Sequence, residues 1–163
     1  MKSLLIVRHA KSSWDSPTLR DFDRPLNERG LKDAPLMAQR KLDRKIHIDA
    51  FASSTANRAL ATALFFAKAF HQKEKEIIRI PKLYHAMPET FSEVIAEFNN
   101  YWNTVAIFSH NPGITDFANK LHVARIDNMP TCGVLGVHFM CYKWEDAMQA
   151  EKHFWLFDYP KNL

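Results

Sequence analysis

Three short stretches of this chain carry side chains that could act together on one anion. Arg8-His9 follows the apolar run Leu4-Leu5-Ile6-Val7. Ser53-Ser54 follows Ala50-Phe51-Ala52, with Arg58 a little further on. Ser109-His110-Asn111 follows Val105-Ala106-Ile107-Phe108. Arginine is a permanent cation whose planar fork matches phosphate oxygens. Histidine is a nucleophile or base that titrates near neutral pH. Two of each in one pocket, with no obvious carboxylate among them, are costly to hold together unless an anion joins them. A phosphoryl group, at about −1.5 to −2 charge, is the natural guest. Taken alone, Arg8-His9 reads equally well as the first solvated residues after a core strand. The recurrence of the pattern at three strand ends favours chemistry on a phosphoryl group.

For these residues to meet, the strands carrying them must lie parallel and end on one edge. The unbroken apolar runs before Arg8 and Ser109 are those of strands buried on both faces, as in parallel sheets, and ligands bind at the carboxyl edge of such sheets. The remaining pattern alternates strand and helix. Asn27 is a good N-cap for a helix to about Lys45, with Leu31, Ala34, Met37, Ala38 and Leu42 on the helical period. Pro35 is expected to kink that helix or delay its start. Arg40 to Lys45 reads as its solvated, cationic end. Thr55 is placed to cap a helix over 56–71, and residues 76–80 form a third strand. Thr90 and Glu93 form a capping box for a helix to about Tyr101. A helix over 114–121 and strands over 133–142 and 152–157 complete the chain, the last two as an antiparallel hairpin. The class is α/β: a three-layer α/β/α sandwich with a mostly parallel central sheet. Residues 10–26 form a long polar loop, a length that in a compact domain is usually functional, and Trp14 and Phe22 are placed to pin it to the body.

At 163 residues, 47% of them hydrophobic, the chain fits one domain spanning 1–163 with a sizeable core. No run approaches the ~18 apolar residues of a membrane span, and no signal peptide precedes Arg8, so the cytoplasm is the default compartment. Cys132 and Cys141 are too few for a disulfide framework and read as buried and reduced. The formal charge of +4 suits an anionic substrate. It comes with no dense basic run and no aromatic–basic interleaving, which argues against nucleic acid. No short His/Cys spacing suggests a zinc site. His47, His71, His122, His138 and His153 are expected to have no role. No coiled-coil seam is evident, so a monomer is expected.

Taken in order, Arg8-His9-Ala10, the segment Arg24-Pro25-Leu26-Asn27-Glu28-Arg29-Gly30, Ser53-Ser54 with Arg58 and Thr62, and Ser109-His110-Asn111-Pro112-Gly113 resemble the histidine phosphatase (phosphoglycerate mutase-like) superfamily over nearly the whole chain. The short length, the Arg-Pro-Leu-Asn segment and the closing Phe157-Asp158-Tyr159-Pro160 look like its SixA-type branch, the protein phosphohistidine phosphatases. The resemblance implies the phosphoglycerate mutase-like fold and a metal-independent reaction without cofactor. It implies that His9 is the nucleophile, passing through a phosphohistidine intermediate. Arg8 and Arg58 would bind the transferred oxygens, and His110 would be a further donor to them. Arg24, on the long loop, is placed to help close the pocket. Ser12, His85 and Asn111 join the substrate-binding candidates, although for Ser12 and Ser13 turn capping is the simpler account.

The chain departs from the family pattern in three places. Ala10 stands for a glycine, a small change. Asp15 stands where mutases have a phosphate-binding asparagine, so it should point away or hold an arginine. Where ester-cleaving members carry an acidic general acid, this chain reads Tyr84-His85-Ala86-Met87-Pro88-Glu89, with His85 in the slot and Glu89 a weaker candidate. An alkoxide leaving group needs that proton badly. An imidazole leaving from phosphohistidine accepts one readily near neutral pH. The expected activity is therefore dephosphorylation of phosphohistidine on a protein. The alternatives are a small-molecule phosphomonoesterase of the same superfamily and a non-catalytic phosphoprotein-binding module.

Overall fold

The computed structural model describes residues 1–162. It contains one six-stranded sheet built from β1 (Lys2–Arg8), β2 (Ala50–Ser53), β3 (Ile78–Arg79), β4 (Thr104–Ser109), β5 (Val134–Phe139) and β6 (Lys152–Asp158). The strand order is β3-β2-β4-β1-β5-β6. The first four strands of that order run parallel, β5 lies antiparallel to β1, and β6 lies antiparallel to β5. The helices are α1 (Glu28–Asp43), α2 (Asn57–Ala69), α3 (Pro88–Ala96) and α4 (Gly113–Lys120). Alternate residues of β1 face opposite layers. Leu5 and Val7 pack with Met37 of α1 and Phe66 of α2, while Leu4 and Ile6 pack with Phe91 of α3 and Phe117 of α4. The α/β/α sandwich expected from the pattern is the fold, and its closing hairpin is present.

Several boundaries differ from expectation, each for a local reason. α1 runs unbroken through Pro35. Asn27 caps it as expected, its side chain accepting the Gly30 N–H at 2.9 Å. Thr55 does not cap α2. Its N-cap is Ala56, whose N–H goes instead to Ser54 Oγ at 3.2 Å. α3 starts at Pro88 and ends at Ala96, because proline's fixed φ suits a first helical position; the Thr90 capping box does not form. β3 shrinks to two residues because Glu74–Glu76 coils into a 3-10 turn. The solvated reading of 40–45 holds for Asp43, Arg44 and Lys45, which are exposed, and fails for Arg40 and Lys41. Lys41 is fully buried with Nζ 2.5 Å from Asp158, and the Arg40 guanidinium donates to the carbonyls of Tyr159, Pro160 and Asn162. Cys132 is buried as expected, whereas Cys141 is only half-buried.

The register sets the geometry of the candidate site. Arg8 pairs with Ser109, and Ser53 with Phe108, so β1, β2 and β4 end level on one edge.

Candidate active site

His9 stands at that edge, just past β1. Its Nδ1 lies 2.7 Å from the carbonyl oxygen of Ala10. A carbonyl only accepts, so Nδ1 carries the proton and Nε2 presents a bare lone pair. Arg58 Nε donates toward that nitrogen at 3.3 Å. The backbone beneath is fixed by Thr62 of α2, whose Oγ1 accepts the Ala10 N–H at 2.9 Å. Burial pulls the His9 pKa down to about 3; the Ala10 hydrogen bond opposes it, and the charges of Arg58, Arg8 and Arg24 each add a smaller downward pull. The imidazole is neutral at physiological pH.

His110 tilts toward it, with ring centroids 5.1 Å apart. Its Nε2 lies 2.7 Å from Ser54 Oγ. Burial, then the neighbouring His9 and Arg58, push its pKa down to about 2. Its Nδ1 is buried and unpartnered, and so is Nε of Arg8, whose Nη1 donates to the Met129 carbonyl at 2.8 Å. Buried polar atoms are nearly always paired. Two orphans on the two residues flanking His9 mark where an oxyanion would be received. If Ser54 gives its hydroxyl proton to Nε2, the free Nδ1 of His110 is a donor to that oxyanion.

The cluster also holds a carboxylate that the sequence reading missed. Asp21, in the 3-10 turn Asp21–Asp23, accepts Arg24 Nη1 at 2.9 Å, Arg58 Nη2 at 3.0 Å and the Tyr84 hydroxyl at 2.7 Å, and its carbonyl accepts Arg58 Nη1 at 2.7 Å. Burial opposes its ionisation, but the Tyr84 and Arg58 hydrogen bonds prevail and hold its pKa at about 2. Arg24 is buried, its Nε on the Ser13 carbonyl at 3.0 Å and its Nη2 on Ser12 Oγ. Trp14 does not pin the loop by burial: it is 72% exposed and lies over the Arg24 guanidinium, 3.4 Å from the ring centroid. Phe22 does reach the body, edge-on to Tyr84 at 5.1 Å.

The structure thus brings Arg8, His9, Arg58 and His110 together, with Arg24 and Ser12 in the loop against them. His85 sits at the mouth, exposed, in the left-handed region (φ 57°), its ring centroid 3.8 Å from that of Tyr84. Asn111 is committed to the protein. Its Nδ2 donates to Asn128 Oδ1 at 2.7 Å and to the Met129 carbonyl at 3.2 Å, and its Oδ1 accepts Thr115 Oγ1 at 2.5 Å. Glu89 is exposed on α3 and faces Lys120 at 3.5 Å. Asp15 is exposed. Among the described residues, no helix is long and apolar enough to cross a membrane.

Comparison with known proteins gives the family. Residues 4–85 match the family described as the histidine phosphatase superfamily (branch 1). An uncharacterised chloroplastic protein of Arabidopsis thaliana is 30% identical, the match covering 90% of this chain and 70% of that protein. Phosphoserine phosphatase 1 of Hydrogenobacter thermophilus is 42% identical over 146 residues, covering 75% of this chain and 66% of that protein. The crystal structure provisionally named phosphohistidine phosphatase SixA from Agrobacterium tumefaciens superposes with a TM-score of 0.80 at 28% identity, covering 98% of this chain and 99% of that one.

Proposed function

The chain belongs to the histidine phosphatase superfamily, branch 1, and on that premise we propose that it dephosphorylates phosphohistidine, carried on a protein, through a phosphoryl intermediate on His9. The observation that carries this reading is the tautomer of His9. The Ala10 carbonyl takes Nδ1–H and leaves Nε2 as a neutral nucleophile inside a cationic cluster.

In this mechanism Nε2 of His9 attacks phosphorus. The P–Nε2 bond forms as the P–N bond to the substrate imidazole breaks, and that imidazole leaves with a proton gained from solvent. The Ala10 carbonyl stabilises the charge that develops on the His9 ring. Arg8, Arg58 and the His110 Nδ1–H receive the three phosphoryl oxygens, where transition-state charge lies. Water then attacks phosphorus, orthophosphate leaves, and Nε2 regains its lone pair. Asp21 orients Arg58 and Arg24; with its pKa near 2 it is ionised at neutral pH and has no proton to give.

The leaving group decides between nitrogen and oxygen substrates. Glu89 faces Lys120, and a hydrogen bond from its own backbone N–H, followed by the charge of Lys120, lowers its pKa. No site carboxyl among the described residues is therefore a ready acid at pH 7. An ester needs one, and a phosphoramidate does not. The rival reading, hydrolysis of a small phosphate ester, is favoured by the 42% identity to a protein named phosphoserine phosphatase. Turnover of a phosphohistidine peptide and of phosphoserine, compared in wild type and His9→Ala, tests the proposal. The expected result is a kcat/KM for the peptide at least about 100-fold above that for phosphoserine, the low end of what a general acid contributes, with an acid-labile phosphoryl group trapped on wild type and none on the variant. Equal or faster phosphoserine hydrolysis would move the assignment to the small ester.

A further inference from the structure

A second cationic surface lies beside the catalytic cluster. A groove of about 570 Å³ opens on the far side of Arg8. Lys11, Arg29, Lys32 and Lys161 line it with Arg8, against the single carboxylate of Asp33. That carboxylate is already neutralised, 3.5 Å from Arg29 Nε. Lys11, Lys32 and Lys161 make no ion pair among the described residues. Five cations around one paired carboxylate, in a chain whose whole formal charge is +4, concentrate a positive field at one cleft.

The groove is built onto the strand that carries the proposed nucleophile. Its wall includes Pro130 and Thr131. That wall is hydrogen-bonded to the site at both ends: Met129 accepts from Arg8 at 2.8 Å, and the Cys132 N–H donates to the His9 carbonyl at 3.0 Å. Arg29 fastens it to α1 through Thr131 Oγ1 at 3.0 Å. The opposite side is one face of α1, bearing Arg29, Lys32, Asp33 and Leu36. That spacing covers two helical turns, about 10 Å. Roughly three residues of extended peptide span the same length.

We propose that this groove binds acidic side chains of the protein substrate, spread over about three residues of an extended segment beside the phosphorylated histidine. The proposal rests on the phosphohistidine reading given above. A peptide suits the groove better than a compact polyanion does, because Leu36, Pro130, Tyr159 and Pro160 give it an apolar wall between the cations. Apolar contact along the chain and charge at its side chains together make a peptide-recognition surface.

Two measurements on the full chain test this. In the first, a fluorescein-labelled peptide of alternating Glu and Ala, without phosphate, is titrated with wild type and with Lys32→Glu/Lys161→Glu. Both positions are exposed and lie outside the catalytic cluster. The double reversal is expected to weaken binding about tenfold, as two modest surface ion-pair energies imply. Binding to wild type should fade by about 0.5 M salt, where charge is screened. In the second, kcat/KM is measured for phosphohistidine peptides with acidic or with neutral flanks, and for phosphoramidate. Wild type is expected to prefer acidic flanks about tenfold, on the same ion-pair estimate. The variant should lose that preference and keep phosphoramidate turnover. Equal affinity of the labelled peptide for wild type and variant overturns the proposal. So does displacement of the peptide by pyrophosphate at lower concentration than by unlabelled peptide, which would make the groove a site for a small polyanion. If neither phosphoramidate nor any peptide is turned over, the phosphohistidine reading fails and the binding measurement alone decides the groove.

Discussion

His9 and His110 are held neutral by the same surroundings that make the pocket attractive to an anion. Their pKa values, about 3 and about 2, lie far below the ~6.5 of an imidazole in water. The sign of the consequence follows from proton counts. Between pH 6.5 and about 3 the unfolded chain binds these protons and the native chain does not, so stability falls as pH falls through that window. From pH 7 to pH 5 the two groups together are expected to remove about 3–4 kcal/mol of unfolding free energy. His9→Ala should recover roughly half of that loss. Urea titrations at both pH values check this, and a variant as pH-sensitive as wild type would show that His9 charges in the native state. Asp21 leaves the comparison of pH 7 with pH 5 undisturbed, because its own stabilisation is lost only as pH falls further, through the ordinary carboxylate value toward its lowered pKa of about 2. At this scale the sequence was partly legible. Arg8, His9, Arg58 and His110 stand out because each follows an apolar run or opens the helix after one. Asp21 does not, because Arg20-Asp21-Phe22-Asp23-Arg24 is symmetric in charge about Phe22 and nothing in its order selects one carboxylate over the other. Only the 3-10 turn, which swings Asp21 inward and leaves Asp23 with Arg20 at 2.8 Å, makes the choice.

The elements carry these residues by close backbone approaches that glycine alone allows. Gly113 opens α4 directly after the His110 turn, and a Cβ there would lie 1.9 Å from the Ala86 carbonyl oxygen. The obstacle is backbone, so the connector over 84–88 would have to move, taking Tyr84 and its hydroxyl bond to Asp21 with it. Gly113→Ala is expected to cost about 2–3 kcal/mol as overpacking. It should also weaken inhibition by inorganic phosphate severalfold, since the displaced connector carries Tyr84, whose hydroxyl holds the Asp21 that orients Arg58. An unchanged urea midpoint would mean that the connector yields freely. The strands β1 and β4 were legible because burial on both faces writes an unbroken apolar run. Loop residues 10–26 were legible only as a loop. What fixes them is polar: Arg24 drawn onto Ser12, Ser13 and Asp21, and the isolated bridge of Ser12 with Leu26. Polar fixation of this kind has no period to read. The helix starts at Asn57 and Pro88 were misplaced because a cap is a single side chain choosing among several donors.

The whole molecule is closed by a charge pair between its first helix and its last strand. Lys41 of α1 is fully buried, and its one hydrogen-bond partner among the described residues is Asp158 at the end of β6. Asp158 is far better served: besides Lys41 it accepts Arg40 Nη1 at 3.3 Å, the Tyr159 N–H at 2.9 Å and Asn162 Nδ2 at 3.3 Å. Helical periodicity reads cations near a helix end as solvated, and only the docking of β6 and residues 159–162 on α1 covers this one. The inequality between the partners predicts unequal damage. Lys41→Met leaves a carboxylate that keeps Arg40 and two further donors, with an apolar side chain of similar length in the buried space. Asp158→Ala leaves an ammonium in the core with no acceptor. Removing one partner of a buried pair costs about 3–5 kcal/mol when the other is stranded, and that range is expected for Asp158→Ala. For Lys41→Met about 1–2 kcal/mol is expected, because replacing a buried charge by a well-packed apolar group offsets part of the loss. Asp158→Ala should further lower stability at neutral pH relative to pH 10, where a stranded lysine loses its proton more easily; Lys41→Met has no such group. Urea unfolding of both variants at the two pH values measures the asymmetry. Equal losses would show that residues 159–162 hold the C-terminal edge without the pair. The groove beside Arg8 depends on the same closure, since Tyr159, Pro160 and Lys161 line it. Asp158→Ala is therefore expected to weaken the acidic peptide's binding along with the fold.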